Sequence, residues 1–147
     1  MTSCNRGIGR IWSRRSLLCI VWTISVGAGC ANQGGAGIQV GRIDSAAELK
    51  AKMDAGNLLV IHALNAEHFA KGHIPGAKNI DIQDMTVSSL PADKAQPMVF
   101  YCGSVHCPVG HDAAQKAASW GYSHVWYYAG GIADWRASGM QVATGTE

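Results

Sequence analysis

The stretch PMVFYCGSVHCPVGHDAAQKAASWG, residues 97–121, changes character in its middle. Its first six residues, Pro97 to Cys102, form an apolar run of strand length. From Gly110 to Gly121 the alanines are spaced for close helix packing, which predicts a helix. The loop GSVHCPVG joins the two. A strand that passes through a glycine-bearing loop into a helix predicts an α/β sheet with helices on its faces.

The same alternation continues on both sides. Upstream, IQVGRI (Ile38 to Ile43) predicts a first short strand. Ser45 with Glu48 makes a capping box, and the helix it opens ends at Gly56. LLVIHA (Leu58 to Ala63) predicts a buried strand, NAEHFAKG (Asn65 to Gly72) a short helix and AKNIDI (Ala77 to Ile82) another strand. A brief helix is expected between Asp84 and Leu90. Downstream, YSHVWYY (Tyr122 to Tyr128) predicts a last strand, and GGIADWRASG (Gly130 to Gly139) a last helix between glycines. The expectation is one α/β domain, residues 38–147, with a mainly parallel sheet of about five strands and helices on both faces.

Cys102 closes the apolar strand, at the edge where open α/β sheets bind their ligands. The loop after it can turn several backbone N–H groups toward one point. Such a nest, with the positive end of the following helix, is expected to hold an anion and lower the thiol's pKa. The thiolate is the attacking form, so this placement predicts a nucleophile. The competing reading is a cysteine buried as a small hydrophobe at a strand end.

Charge excludes one class of function. The first 29 residues contain four arginines and no acidic residue, whereas the remainder carries eight basic and ten acidic side chains. The domain therefore has no basic surplus for a nucleic-acid partner. The N-terminus instead reads as an export signal over residues 1–29. Arg14 and Arg15 precede the apolar core LLCIVWTISV (Leu17 to Val26), which is too short to span a bilayer comfortably. GAGC, ending at Cys30, resembles a lipobox, so Cys30 is the candidate lipidation site. Residues 30–37 have the composition of a flexible tether. An exported domain in the periplasm or cell envelope, held to a bacterial membrane through that lipid, is expected.

Taken with GHIPGAKNI (Gly72 to Ile80), FYC and its loop, DAAQKAASWGY and GGIADW (Gly130 to Trp135), residues 38–140 resemble the rhodanese superfamily. The resemblance implies sulfur transfer. Cys102 would take a sulfane sulfur from a donor such as thiosulfate or a persulfide and pass it to an acceptor thiol. Gly103, Ser104, Val105, His106 and Cys107 would begin the loop that cradles the bound sulfur. Many members place an arginine five residues after the cysteine, where this chain has Cys107. No Lys or Arg occurs between Lys94 and Lys116, leaving backbone amides, His106 or His111 to meet an anionic donor. Where the family often has Asp-x-Arg upstream, His62 and Leu64 stand.

Cys107 is also the candidate resolving thiol, which would close a disulfide with Cys102. The alternative functions are thus a dithiol redox protein, or a silent domain that binds a partner through its loop. A zinc site from Cys102, His106, Cys107 and His111 is disfavoured, since all four would crowd one loop. No metal and no cofactor are expected. The expected partners are a small sulfur donor and a thiol or protein-thiol acceptor.

Overall fold

The computed structural model describes residues 39–146. The expected signal, the tether and Cys30 lie outside the described residues. Five strands are present: β1 (Gly41–Ile43), β2 (Leu59–His62), β3 (Lys78–Asn79), β4 (Met98–Tyr101) and β5 (Val125–Tyr128). Four helices accompany them: α1 (Ala46–Asp54), α2 (Ala66–Lys71), α3 (Val109–Ser119) and α4 (Gly131–Ala137). The expected helix near Asp84 to Leu90 is a single 3-10 turn, Val87–Ser89.

All strand pairs are parallel, in the order β1-β5-β4-β2-β3. The single α/β domain with a five-stranded sheet is therefore as expected. β4 lies in the middle with all four residues buried. Alternation along the strands sends side chains to two cores. Val60, Val99, Tyr101 and Tyr128 join Leu49 of α1, Phe69 of α2 and Trp135 of α4 on one face. Ile61, Met98, Phe100 and Val125 join Ala113, Ala114 and Ala117 of α3 on the other. The alanines of α3 let it lie close against the sheet, as their spacing implied.

Two sequence features acquire a structural cause. In GHIPGA, Pro75 and Gly76 are the central residues of a turn closed by Ala77 N–H donating to Ile74 O at 3.0 Å. Gly76 has φ +77, the left-handed conformation that this turn requires at its third position. Ile74 N–H donates to the Tyr101 hydroxyl at 3.0 Å, tying the turn to the end of β4. His73 is fully buried, and its Nδ1 lies 3.0 Å from Phe69 O, so it fixes the turn.

β3 is shorter than the run AKNIDI suggested. Beyond it the chain stays beside β2, with Ile80 N–H donating to His62 O and Ile82 N–H to Ala63 O. The Asn79 side-chain amide donates to the carbonyls of His62 and Leu64. This side-chain bridge replaces regular ladder bonds at the sheet edge.

Candidate active site

Because every strand is parallel, all five carry their C-terminal ends to one edge. Cys102 follows β4 at the centre of that edge and is 3 % exposed. Its thiol donates to the Cys107 carbonyl at 2.9 Å. The loop that leads away is held in two ways. Cys107 N–H donates to Ser104 O at 3.0 Å, making a turn of the loop itself. From the far side, Ile132 and Ala133 N–H of α4 donate to the carbonyls of Cys102 and Gly103, each at 3.0 Å. These bonds assign the GGIADW segment its role: the first turn of α4 pins the backbone around Cys102.

That contact leaves no room for a side chain at Gly131. A β-carbon there would lie 2.5 Å from Cys102 O and 2.8 Å from Ser104 N, and the residue has φ +61. Farther along the helix, Asp134 accepts a hydrogen bond from the Tyr128 hydroxyl. The buried Trp135 ring donates to Gln141 O at 2.8 Å.

A cavity of about 200 Å³ opens beside the thiol. Cys102, Cys107, His111, Tyr127, Tyr128 and Arg42 contribute to its wall. Of the two histidines in the loop region, His111 faces the cavity, while His106 is exposed and takes no part in the wall. His111 stands edge-on to Tyr127, with ring centroids 4.7 Å apart, and its Nε2 is 3.1 Å from the Gln115 amide nitrogen. Val105 and Cys107 of the expected cradle also line the cavity, whereas Gly103 and Ser104 form its backbone support. Gly110, outside the expected cradle, turns its amide toward the sulfur together with that of Ser104. Among the described residues, no group of three His, Cys, Asp or Glu side chains is placed to hold a metal ion.

Arg42 is the site residue that the sequence reading missed. It lies on β1 in register with Tyr127, and β5 carries Tyr127 next to Phe100 of β4. Two steps across the sheet thus bring a guanidinium from the edge strand to the cysteine's cavity. A charged residue near the C-terminal end of any strand in a parallel sheet is a candidate for this edge, and IQVGRI carries one.

The thiol itself departs from expectation. Burial, and then the adjacent Cys107 side chain, push the Cys102 pKa up to about 11. The amides of Gly110 and Ser104 act the other way but do not offset these effects. The nest that was expected to lower the pKa is present in part, and desolvation outweighs it. At neutral pH the resting site holds a protonated thiol.

His62, where the family resembled often has an aspartate, is 1 % exposed and packs against Phe69 and Tyr101. Its ring meets Tyr101 edge-on at 5.0 Å between centroids. Burial, followed by the nearby His68 and His73, lowers its pKa from 6.5 to about 4. The unfolded chain takes up a proton on this residue near pH 6.5, and the folded chain does not until about pH 4. Acid therefore favours the unfolded state across that window. Stability is expected to fall by roughly 1–2 kcal/mol between pH 7 and pH 5 from this group. Urea midpoints across that range check this, and a His62→Leu variant should lose that part of the slope.

Residues 45–138 match the family described as the rhodanese-like domain. The chain is 32% identical over 101 residues to an HTH-type transcriptional regulator of Mycobacterium tuberculosis, covering 67% of this chain and 43% of the regulator. It is also 32% identical over 65 residues to a thiosulfate sulfurtransferase of Azotobacter vinelandii, covering 44% of this chain and 24% of that enzyme. It thus spans less than half the length of either curated relative. Among solved structures, the BH2092 protein of Bacillus halodurans superposes with a TM-score of 0.65 at 26% identity, covering 71% of this chain and 77% of that one. A thiosulfate sulfurtransferase of Pseudomonas aeruginosa shares the fold, with a TM-score of 0.63 at 18% identity over 73% of this chain and 21% of that one.

Proposed function

Because the chain belongs to the rhodanese-like domain family, we propose that it is a sulfurtransferase carrying sulfane sulfur as a persulfide on Cys102. The observation that carries this reading is the placement of Cys102. The thiol at the central strand end faces a small cavity, beside a loop whose backbone is pinned by a second helix. A merely structural cysteine needs neither the cavity nor the pinned loop.

The chemistry divides into two displacements. The Cys102 thiolate attacks the outer sulfur of a donor, the donor's S–S bond breaks, and the leaving group departs with the electron pair. With thiosulfate the leaving group is sulfite. An acceptor thiolate then attacks the outer sulfur of the persulfide, and Cys102 leaves as a thiolate. There is no net oxidation of the protein, and one difficult transfer becomes two. The thiol must first lose its proton, and the amides of Gly110 and Ser104 favour the thiolate that results. Intact-mass measurement after exposure to thiosulfate or to an alkyl persulfide tests the proposal. Addition of one sulfur atom supports it, and no adduct from any donor would sink it.

A second reading rests on Cys107. Its side chain lies close enough to perturb the Cys102 thiol and shares the same cavity. A Cys107 thiolate could attack the inner sulfur of the persulfide, releasing hydrosulfide and leaving a Cys102–Cys107 disulfide. On this reading Cys107→Ser is expected to lengthen the lifetime of the Cys102 persulfide several-fold. Timed intact-mass measurement without an acceptor reads that lifetime, and an unchanged value removes the resolving role.

A further inference from the structure

An anionic donor in this cavity needs a positive partner, and the loop supplies none. Among the side chains of the cavity wall, Arg42 alone is permanently charged. Its Nε donates to Asp44 Oδ1 at 2.5 Å. Its other polar neighbour is the Tyr127 hydroxyl, whose influence on the guanidinium is smaller than that of Asp44. A guanidinium carries five N–H donors, and with Nε on Asp44 and the side chain half-exposed, others can meet an oxyanion.

The surroundings of Arg42 also give the site a direction. A second cavity, of about 430 Å³, shares Arg42, Val105 and Ala129 with the first and contains Asp44 and Asp134 in its wall. Arg42 thus belongs to the boundary between a carboxylate-lined space and the space beside the thiol. An oxyanion is repelled from the first and attracted into the second. Half-exposed side chains allow the exchange: Arg42 and Asp44 are 56% and 67% exposed. A donor anion can displace the carboxylate without opening the core.

We propose that Arg42, reaching from the edge strand, is the anion-holding residue of this site, and that Asp44 competes with the donor for it. The inference rests on the sulfurtransferase reading and adds the residue that holds a donor ending in an oxyanion. Thiosulfate is the simplest: its sulfonate end sits on the guanidinium while its outer sulfur meets Cys102. The S–S bond to be broken then lies between the cation and the thiolate. As that bond breaks, negative charge gathers on the departing sulfite, and Arg42 is placed to stabilise it.

The test compares two donors on the full chain, with and without the charge. Initial rates of persulfide formation on Cys102 are measured with thiosulfate and with an alkyl persulfide, which has no oxyanion end. Arg42→Gln is expected to raise the KM for thiosulfate roughly 10- to 100-fold, the loss of a charge-assisted fork. The loss with the alkyl persulfide should be at least several-fold smaller, since that donor has no oxyanion for the planar fork to hold. Asp44→Asn should lower the thiosulfate KM several-fold by releasing Arg42. Thiosulfate loading of the parent, but not of Arg42→Gln, should weaken with added salt. Equal losses with both donors would make Arg42 structural, and no loss with either would remove it from the site. A parent that loads from the alkyl persulfide and not from thiosulfate would overturn the anion subsite and leave sulfur transfer standing. A parent that loads from neither overturns both.

Discussion

Cys102→Ser is expected to fold as the parent does and to take up no sulfur. The substitution changes one buried atom, and a hydroxyl can donate to Cys107 O as the thiol does. Urea midpoints should therefore agree within about 1 kcal/mol. Reactivity is another matter, because an alcohol is a far weaker nucleophile than a thiol toward sulfane sulfur. Sulfur transfer should fall by on the order of a thousandfold or more. Intact mass reads this directly: the parent gains one sulfur atom and the variant gains none. An undiminished adduct in the variant would move the sulfur to another side chain, and Cys107 is the other free thiol among the described residues. The raised thiol pKa adds a signature of its own. Below about pH 11 Cys102 keeps its proton, so its rate of alkylation in the resting protein should keep climbing as the pH rises above 8.

Gly131→Ala tests the scaffold rather than the chemistry. The added methyl would stand 2.5 Å from Cys102 O, and the atoms it meets are backbone that cannot rotate away. The left-handed φ of +61 adds strain of its own. A stability loss of roughly 2–4 kcal/mol is expected, with sulfur uptake falling alongside because the helix must part from the loop. Gly139→Ala is the control. It has φ +73 but nothing within 4 Å of the added carbon, so it should cost only about 1 kcal/mol of backbone strain. Urea midpoints of the two variants separate these cases. Equal losses would mean that the α4–loop contact does not hold the site.

Much of the domain was open to reading from local pattern. The change of period within residues 97–121 marked β4 and α3, and the parallel sheet followed from strands alternating with helices. GHIPGA marked the family resemblance, and the structure gives its Pro75–Gly76 pair the angles of a turn. Where the reading faltered, the causes were nonlocal. AKNIDI looked like a full strand, but at the sheet edge the Asn79 side chain takes over part of the ladder. His106 and His111 looked equivalent, and only the start of α3 decides which ring turns toward the cavity. The pinning of the loop by α4 needs two segments from opposite sides of the loop to meet.

By itself the sequence determined the order of elements, the position of Cys102 at a strand end and the absence of a cation in its loop. Those properties depend on periodicity and on residues a few places apart. The tertiary structure decided that the thiol rests protonated and that Arg42 stands beside it. A pKa depends on burial by the whole fold, and Arg42 reaches the cavity through a register across β1, β5 and β4. Neither is encoded in any one segment, because both come from surfaces that exist only once the sheet is assembled.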